Sequence, residues 1–250
     1  MSLMAPLITL LTDFGTADSY VGEVKAVLLS RVRDAQIVDV TNHVPPGDVR
    51  AGQFILSRVW QRFPRGTVHM VVVDPGVGTD RRGLAAESAG HFFVAPDNGL
   101  LSPLPMNTQF VLLPVPEGAA PTFHARDVFA PAAAQLAQGA ALARMGPPVT
   151  DPCRTPLPAP HHDGAAVVGE VLYVDRFGTL VSNIPGDTVE PGVRIKVAGT
   201  EIGALARTFG DVARGALVAY VGSGGTVEVA VRDGSAARLL GVGVGAEVRA

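Results

Sequence analysis

Apolar residues in the first 145 positions alternate between short continuous runs and segments with helical spacing. Continuous runs rich in β-branched residues are typical of buried strands, whereas apolar residues three or four positions apart mark one face of a helix. The runs predict strands at Leu7–Thr12, Gln36–Val40, Thr67–Val73 and Gln109–Leu113, with hairpin-like strands around Leu84–Glu87 and Phe92–Ala95. Helical spacing predicts helices at Tyr20–Val32, immediately after Asp48, and at Asp127–Leu142. Strands that alternate with helices favour a largely parallel sheet with flanking helices on both faces.

The pattern changes after Gly146. Prolines at positions 147, 148, 152, 156, 158 and 160 predict an extended linker. Beyond it, short β-branched runs separated by Gly, Pro and Asp turns favour a small barrel or sandwich. These runs predict strands at Ala166–Val174, Leu180–Ile184, Val193–Val197, Leu217–Val221 and Thr226–Val231, with no clear helix. We therefore predict an α/β domain at residues 1–150, a proline-rich linker at 151–164 and a smaller all-β, barrel-like domain at 165–250.

Composition and charge narrow the classes of protein. A chain of 250 residues can bury a sizeable core, and 47% hydrophobic with 17% charged residues is ordinary for a soluble protein. A net charge of −3 disfavours a nucleic-acid partner. No apolar run reaches the roughly 18–20 residues of a membrane span, and the amino terminus lacks the features of a secretory signal. The sole cysteine, Cys153, excludes an internal disulfide and fits a reducing compartment, so we expect a cytoplasmic protein.

Two predicted strands end at a carboxylate. The run Val71–Val73 stops at Asp74, where Pro-Gly forces a turn, and the first strand runs directly into Asp13. In open α/β sheets, ligands bind at the carboxyl ends of strands. Arg81 lies seven residues after Asp74, beyond a glycine-containing loop, and is near enough to fold back towards it. The sequence therefore predicts a polar pocket at this edge of the sheet.

Each of these residues also has a structural interpretation. Asp74 and Asp13 could accept backbone N–H bonds in turns, which is a common use of aspartate. Arg81, next to Arg82, could belong to a solvated pair on a loop. An isolated histidine before a helix, such as His124, is more often structural than catalytic. The residues alone leave both interpretations open.

Other motifs give weaker signals. The segment His161–Asp163 lies near Cys153, but the spacing matches no common zinc pattern, so we expect no metal site. Gly76-Val77-Gly78 lacks the third glycine of a dinucleotide-binding loop, and Gly222–Gly225 is typical of a hairpin turn. The second domain repeats the strand-end pattern at Asp175, which is followed by Phe177 in a polar turn. An exposed aromatic face there could form one wall of a pocket for a flat heterocycle.

Five sequence blocks together resemble the S-adenosylmethionine hydroxide adenosyltransferases, which are relatives of the fluorinating and chlorinating enzymes. The resemblance runs essentially from end to end, with the blocks in the family's order. The blocks are Thr12-Asp13-Phe14-Gly15, Val73–Thr79, Ala95–Leu101, Thr122-Phe123-His124 and Asp175-Arg176-Phe177-Gly178.

The resemblance implies cleavage of S-adenosylmethionine by water, giving adenosine and methionine. The family's catalytic residues match Asp74, Arg81 and His124. In this scheme Asp74 polarises the attacking water, Arg81 stabilises the developing hydroxide, and His124 orients the set or relays the proton. The leaving group is a neutral thioether, so neither a metal nor a redox cofactor is expected.

The resemblance also assigns binding residues. The ribose-binding aspartate matches Asp13, and the aromatic residue that stacks on adenine matches Phe177. Asp175 matches the group that holds the methionine amino end, and Ser223 matches a contact to the methionine carboxylate. The family implies a homotrimer with sites at subunit interfaces.

This chain departs from the family pattern at several positions. Thr179 stands where the family usually has asparagine, and Asn183 or Ser182 could compensate at the methionine end. Gly224 stands where some relatives have arginine, so carboxylate binding would rest on the backbone and Ser223.

Two other functions stay open at this point. The halogenating relatives carry an aromatic residue at the position of Asp74 and a serine at Ala125; a carboxylate repels halide, so hydrolysis is favoured over halide-dependent adenosyl transfer. A non-catalytic protein that binds adenosine or S-adenosylmethionine would need Asp13 and Phe177 but not the catalytic set.

Overall fold

A computed structural model describes residues 5–250, and the chain divides into two compact units. The first unit ends at Pro156 and the second begins at Leu157, within the proline-rich segment. The prediction of an α/β region with a parallel-rich sheet, followed by a smaller β region, is confirmed.

The first unit is built on a six-stranded sheet with the order β2-β1-β3-β5-β4-β6. Neighbouring strands β2, β1, β3 and β5 are parallel, and β4 runs antiparallel to both β5 and β6. The parallel strands therefore bring their carboxyl ends to one edge, as the sequence predicted. The strands are β1 Leu7–Thr12, β2 Gln36–Thr41, β3 Val68–Val72, β4 Gly83–Ser88, β5 His91–Pro96 and β6 Gln109–Leu113.

Helices α1 (Tyr20–Arg31) and α3 (Ala130–Ala137) pack together in the main core of this unit. Alternate residues of β1, Ile8 and Leu10, face this core and are fully buried with Leu28 of α1. Helix α2 (Val49–Val59) begins at Asp48, whose side chain accepts a hydrogen bond from the Ala51 N–H. The packing follows from the alternation of side chains along a strand and the 3.6-residue period of a helix.

The predicted helix Asp127–Leu142 is too long. A π-helical turn, Ala125–Phe129, leads directly into α3, which ends at Ala137. Gly139 then adopts a φ of +89°, a left-handed conformation that ends the helix at little steric cost. Leu142 lies beyond the helix, in a short 3₁₀ turn, but its side chain is buried in the same core. The apolar pattern therefore continues past the end of the helix.

The second unit is a closed seven-stranded barrel with the order β14-β10-β11-β12-β13-β9-β8, in which β14 also pairs with β8. A further short strand, β7 (His161–Asp163), pairs antiparallel with the first three residues of β8. Closure removes the exposed strand edges that an open sheet would leave. The barrel strands are β8 Ala166–Val174, β9 Leu180–Pro185, β10 Arg194–Val197, β11 Thr200–Ala206, β12 Leu217–Val221, β13 Thr226–Val231 and β14 Glu247–Arg249.

Besides β7, sequence patterning missed three elements of this unit. Strand β11 contains Gly203 and small residues, which weaken the strand signal, and β14 has only three residues. The short helix α4 (Ala236–Leu240) begins after Ser235, whose hydroxyl accepts a hydrogen bond from the Arg238 N–H, and it ends at Gly241. These elements form because barrel closure supplies their partners.

The connection between the units is shorter than the linker predicted at 151–164. Asp151 forms an ion pair with Arg82, and Thr155 accepts hydrogen bonds from Gln53 at its backbone and side chain. Asp151 and Thr155 therefore belong to the first unit. At the other end, His161–Asp163 forms β7.

A buried polar chain crosses the first unit from β1 to β5. Thr9 Oγ1 lies 2.8 Å from His69 Nδ1, and His69 Nε2 lies 3.2 Å from His91 Nδ1. Burial, with a smaller effect from His91, lowers the pKa of His69 to about 3. His69 is therefore neutral in the folded protein at ordinary pH.

This pKa shift should make stability depend on pH. His69 takes up a proton below about pH 6.5 in the unfolded chain, but only below about pH 3 in the folded chain. The free energy of unfolding that this residue contributes above pH 6.5 is therefore lost as the pH falls. We expect the free energy of unfolding to decrease by up to roughly 1.4 kcal/mol per pH unit between about pH 6 and 4 because of this residue. Trp60, the one tryptophan of the chain, is buried beside His91 and reports urea unfolding by fluorescence.

The matched variants are His69→Gln, which removes the titrating group, and His43→Gln, which changes an exposed histidine. His69→Gln should flatten the pH dependence relative to the parent, and His43→Gln should leave it unchanged. An equal slope for the parent and His69→Gln would show that His69 does not control this dependence.

Candidate active site

Asp74 stands at the carboxyl end of the central strand β3, after a run of fully buried residues. The following loop turns twice: Val77 N–H donates to the Asp74 carbonyl, and Thr79 N–H donates to the Gly76 carbonyl. A side chain at Gly76 would crowd Arg81, because an added Cβ would lie 3.3 Å from Arg81 Cγ. The compact loop thus returns Arg81 to Asp74, as the spacing of seven residues predicted.

Arg81 and Asp74 form a buried ion pair joined by several hydrogen bonds. Arg81 Nε donates to Asp74 Oδ1 at 2.9 Å and to Oδ2 at 3.0 Å, while Nη2 also donates to Oδ2. The side chains are only 9% and 6% exposed, respectively. Arginine binds a carboxylate through two parallel N–H groups, which fixes the orientation of both side chains. The alternative of a solvated Arg81–Arg82 pair is therefore wrong.

His124 completes this cluster by contacting the same Arg81 nitrogen, Nη2, that donates to Asp74. Its Nδ1 atom lies 2.9 Å from Arg81 Nη2, and its side chain is buried. Arginine nitrogens only donate hydrogen bonds, so Nδ1 accepts and a neutral His124 carries its proton on Nε2. Burial, and then the positive charge of Arg81, lowers the pKa of His124. The imidazole is thus held neutral, in one defined tautomer.

A small cavity of about 60 Å³ adjoins the cluster. Asp13, at the end of β1, lines it together with Asp74 and His124. One Asp13 oxygen, Oδ2, accepts a 2.8 Å hydrogen bond from the Gly47 N–H, which fixes the carboxylate and leaves Oδ1 to accept from a ligand. A polar cavity of this size is large enough to hold water. The remaining lining residues are Phe14, Val72, Val77, Thr122, Phe123 and Ala125.

Two supporting residues were not assigned a role from the sequence. Asn98 Nδ2 donates a 2.8 Å hydrogen bond to the Val73 carbonyl, immediately before Asp74. Asp97 Oδ2 accepts from Arg82 Nε at 2.7 Å, and its Oδ1 accepts from the Cys153 N–H. Both lie just past the end of β5, so the strand-end rule that identified Asp74 would also have found them.

The second unit has its own open cavity of about 1100 Å³, which contains Asp175, Phe177 and Ser223. Phe177 is 69% exposed, and Phe209, another lining residue, is 46% exposed. Asp175 Oδ1 accepts from the N–H groups of Phe177 and Thr179, which builds the turn and presents the aromatic ring. The cavity therefore combines aromatic faces with a carboxylate and a hydroxyl.

The polar side chains of Tyr220 and Glu228 also line this cavity. The Tyr220 hydroxyl donates to Glu228 Oε2 at 3.1 Å. Burial, together with the nearby Glu228 carboxylate, raises the pKa of Tyr220 well above its ordinary value. Tyr220 is therefore a hydrogen-bond donor at all ordinary pH values.

Asn183 lies apart from that cavity. Its Oδ1 accepts from the Glu170 N–H, and its Nδ2 donates to the Pro158 carbonyl, so both polar atoms of its amide have partners within the second unit. Ser182 also has a partner, because its hydroxyl donates to the Val227 carbonyl. A substrate contact from Asn183 stays a prediction.

In residues 5–250 no group of three or more His, Cys, Asp or Glu side chains is arranged to hold a metal ion. The helices of the same residues are all too short or too polar to cross a membrane.

Comparison with known proteins covers both units. The family model of the SAM hydroxide adenosyltransferase N-terminal domain matches residues 8–146, and that of the C-terminal domain matches residues 169–249. The crystal structure of an uncharacterized conserved protein from Thermotoga maritima has a TM-score of 0.89 and 36% identity, and the match covers 97% of this chain and 98% of that chain.

Named relatives are similar along nearly the whole chain. The (R)-S-adenosyl-L-methionine hydrolase of Salinispora tropica is 40% identical over 254 residues, covering 98% of this chain and 97% of that protein. The protein of the same name from Thermus thermophilus is 42% identical, covering 96% and 97%. A fluorinase of Nocardia brasiliensis is more distant, at 29% identity with 90% of each covered. The chain therefore belongs to the SAM hydroxide adenosyltransferase family.

Proposed function

We propose that this protein hydrolyses S-adenosyl-L-methionine to adenosine and L-methionine. The observation that carries the proposal is the buried contact of Arg81 with both Asp74 and His124, beside a water-sized cavity. The names of the close relatives, which are (R)-S-adenosyl-L-methionine hydrolases, support it.

The chemistry explains why so few groups suffice. Water attacks C5′ of the ribose, the C5′–S bond breaks, and its electron pair stays on sulfur as a neutral thioether. The attacking water loses one proton, so substrate cation and water give adenosine, methionine and a proton. Attack of a hydroxide-like oxygen on a cation cancels charge, so a cavity that excludes bulk water favours it. No step of this sequence requires a metal or a redox cofactor, and we propose that none is used.

Each residue of the cluster has a distinct proposed role. Asp74 keeps lone pairs beyond those used by Arg81, and one can accept the proton of the water. Arg81 stabilises the developing hydroxide. Neutral His124 orients Arg81 through Nδ1 and can donate a hydrogen bond through Nε2. Asp13 binds the ribose hydroxyls through its unoccupied oxygen.

The sulfonium configuration is a further part of the proposal. The relatives' names specify the (R) epimer, so we propose (R)-S-adenosyl-L-methionine as the preferred substrate. Assays with each pure epimer measure this preference, and faster turnover of the (S) epimer would overturn it.

Halide-dependent adenosyl transfer is the alternative enzyme reaction. The negative charge of Asp74 repels a halide ion from the cavity, and the fluorinase is the more distant of the compared relatives. Incubation with the substrate in ¹⁸O-water separates the possibilities. Hydrolysis places ¹⁸O in the 5′-hydroxyl of adenosine, transfer gives halogenated adenosine in high chloride, and a binding protein leaves the substrate intact.

We also propose roles for the second unit. Phe177 stacks on adenine, Asp175 holds the methionine amino group through Oδ2, and Ser223 contacts the carboxylate. The exposed ring of Phe177 and the turn built by Asp175 support these roles.

We also propose that the protein is a homotrimer with its sites at subunit interfaces. We propose a cytoplasmic location, because Cys153, a single exposed thiol, fits a reducing compartment.

The catalytic roles can be tested by substitution. Asp74→Asn removes the proton acceptor, and Arg81→Lys keeps a charge but loses the two-point contact. We expect kcat to fall about 100-fold or more in each, within the range that proton transfer and charge stabilisation supply. Asp80→Asn, the same change at an exposed position of the same loop, should retain kcat. Near-normal turnover of Asp74→Asn would exclude its role as the base.

The ribose role of Asp13 makes a different prediction. Asp13→Ala should weaken adenosine binding by about 10-fold or more, because charge-assisted hydrogen bonds to the diol are lost. The control is Asp34→Ala, which changes an exposed aspartate just before the amino end of β2, away from the carboxyl ends of the strands. Calorimetry with adenosine measures both, and an unchanged Kd for Asp13→Ala would contradict the assignment.

The interface sites can be tested by mixing inactive subunits. Asp74→Asn and Phe177→Ala chains are each expected to be inactive alone. If one site takes the two residues from different subunits, a random equal mixture should regain about a quarter of parental activity. No recovery in a mixture shown by mass spectrometry to contain hybrid trimers would place both residues of a site on one chain, and light scattering would show whether trimers form.

A further inference from the structure

The π-helical turn Ala125–Phe129 is an unusual element at the site. In it the Ala130 N–H donates to the Ala125 carbonyl, an i→i+5 bond in place of the usual i→i+4 bond. Single π-helical turns inside helices are rare and frequently occur at functional sites. This one separates His124 from the regular helix α3.

The turn changes which side chains share a face. In an α-helix each residue advances about 100°, so residues five apart point about 140° away from each other. The i→i+5 bond widens the turn by one residue, which brings residues five apart closer to the same face. His124 and Phe129 are five apart, and both contact Arg81.

Phe129 supports the guanidinium from its aromatic face. The Arg81 Cζ atom lies 5.2 Å from the ring centroid, within cation–π range, and Phe129 is fully buried. Gly83, at the start of β4, leaves space for the ring, because an added Cβ would lie 2.9 Å from Phe129 Cε1. Arg81 is thus held by a carboxylate, an imidazole and a ring.

We propose that Phe129 is a positioning residue, and that the π-helical turn exists here to bring both Phe129 and His124 to Arg81. This inference rests on the proposed hydrolase function. A long arginine side chain has many rotamers, and the ring removes those in which the guanidinium leaves the plane of the Asp74 contact. Without the ring, Arg81 would stay in the site but would sample conformations that do not stabilise the attacking oxygen.

The same ring also packs in the main core, so the experiment must separate positioning from packing. Phe129→Leu removes the aromatic face, and Phe93→Leu makes the same change at another fully buried phenylalanine, whose ring contacts Trp60 and His69. Both variants should lose comparable stability in urea. Only Phe129→Leu should lower kcat, by about 10-fold with KM within twofold, which matches the size of a desolvated cation–π contact.

A second measurement does not depend on activity. The charged groups around His124 are Arg81, Asp74 and Asp127, and Arg81 lowers the pKa of His124. If Phe129→Leu loosens Arg81, NMR titration of the protein without substrate should show a higher His124 pKa than in the parent and in Phe93→Leu. Gly83→Ala, which displaces the ring without removing it, should change kcat and the His124 pKa in the same directions.

The proposal is overturned if Phe129→Leu loses no more kcat than Phe93→Leu and leaves the His124 pKa unchanged. Absence of hydrolysis by the parent protein would instead refute the proposed function, and the NMR comparison would still decide whether Phe129 positions Arg81.

Discussion

The buried ion pair between Arg81 and Asp74 is the interaction on which the site depends. Removing two charges from water costs several kcal/mol per ion, and the attraction offsets this only when geometry and further hydrogen bonds are good. Here two nitrogens of Arg81 donate to the carboxylate, and one of them, Nη2, also donates to His124. Asn98 fixes the strand end beside the pair. Much of the polar structure around β3 therefore serves to hold one charge pair out of water.

The two units carry different parts of the proposed reaction. The first has a small cavity with two carboxylates and a neutral imidazole, which suits the proposed orientation of the attacking water. The second has a larger open cavity with exposed aromatic rings, which suits a purine and an amino acid. A substrate that carries its own good leaving group needs no general acid, so the catalytic part can be this small. The proposed binding cavity is larger because it would have to contact both the purine and the amino acid.

Most elements of the first unit were predictable because its strands are continuous apolar runs and its helices have one buried face. One error has a local cause, because Gly139 ends α3 before the apolar pattern stops. Strands β11 and β14 carry weak local signals, and β14 pairs with β8, which is distant in sequence. Asn183 was predicted to compensate for Thr179 at the methionine end, and this stays a prediction. The bonds of its amide to Glu170 and Pro158 could not be read from the sequence, because these partners lie 13 and 25 residues away.

The sequence by itself determined that Asp13 and Asp74 each follow a buried strand, because an apolar run followed by Asp and a turn encodes this locally. That the two strands are neighbours was decided by the tertiary structure, since about 60 residues separate them. The sequence also determined the return of Arg81, through a short glycine-containing loop. Only the tertiary structure decided that His124 meets Arg81, since 43 residues separate them and α3 must pack on the sheet before they can touch. The π-helical turn that ends at Phe129 was equally unpredictable from the sequence, because no local pattern distinguishes it from an α-helix. His124 and Phe129, at the two ends of this turn, both contact Arg81, which is distant in sequence.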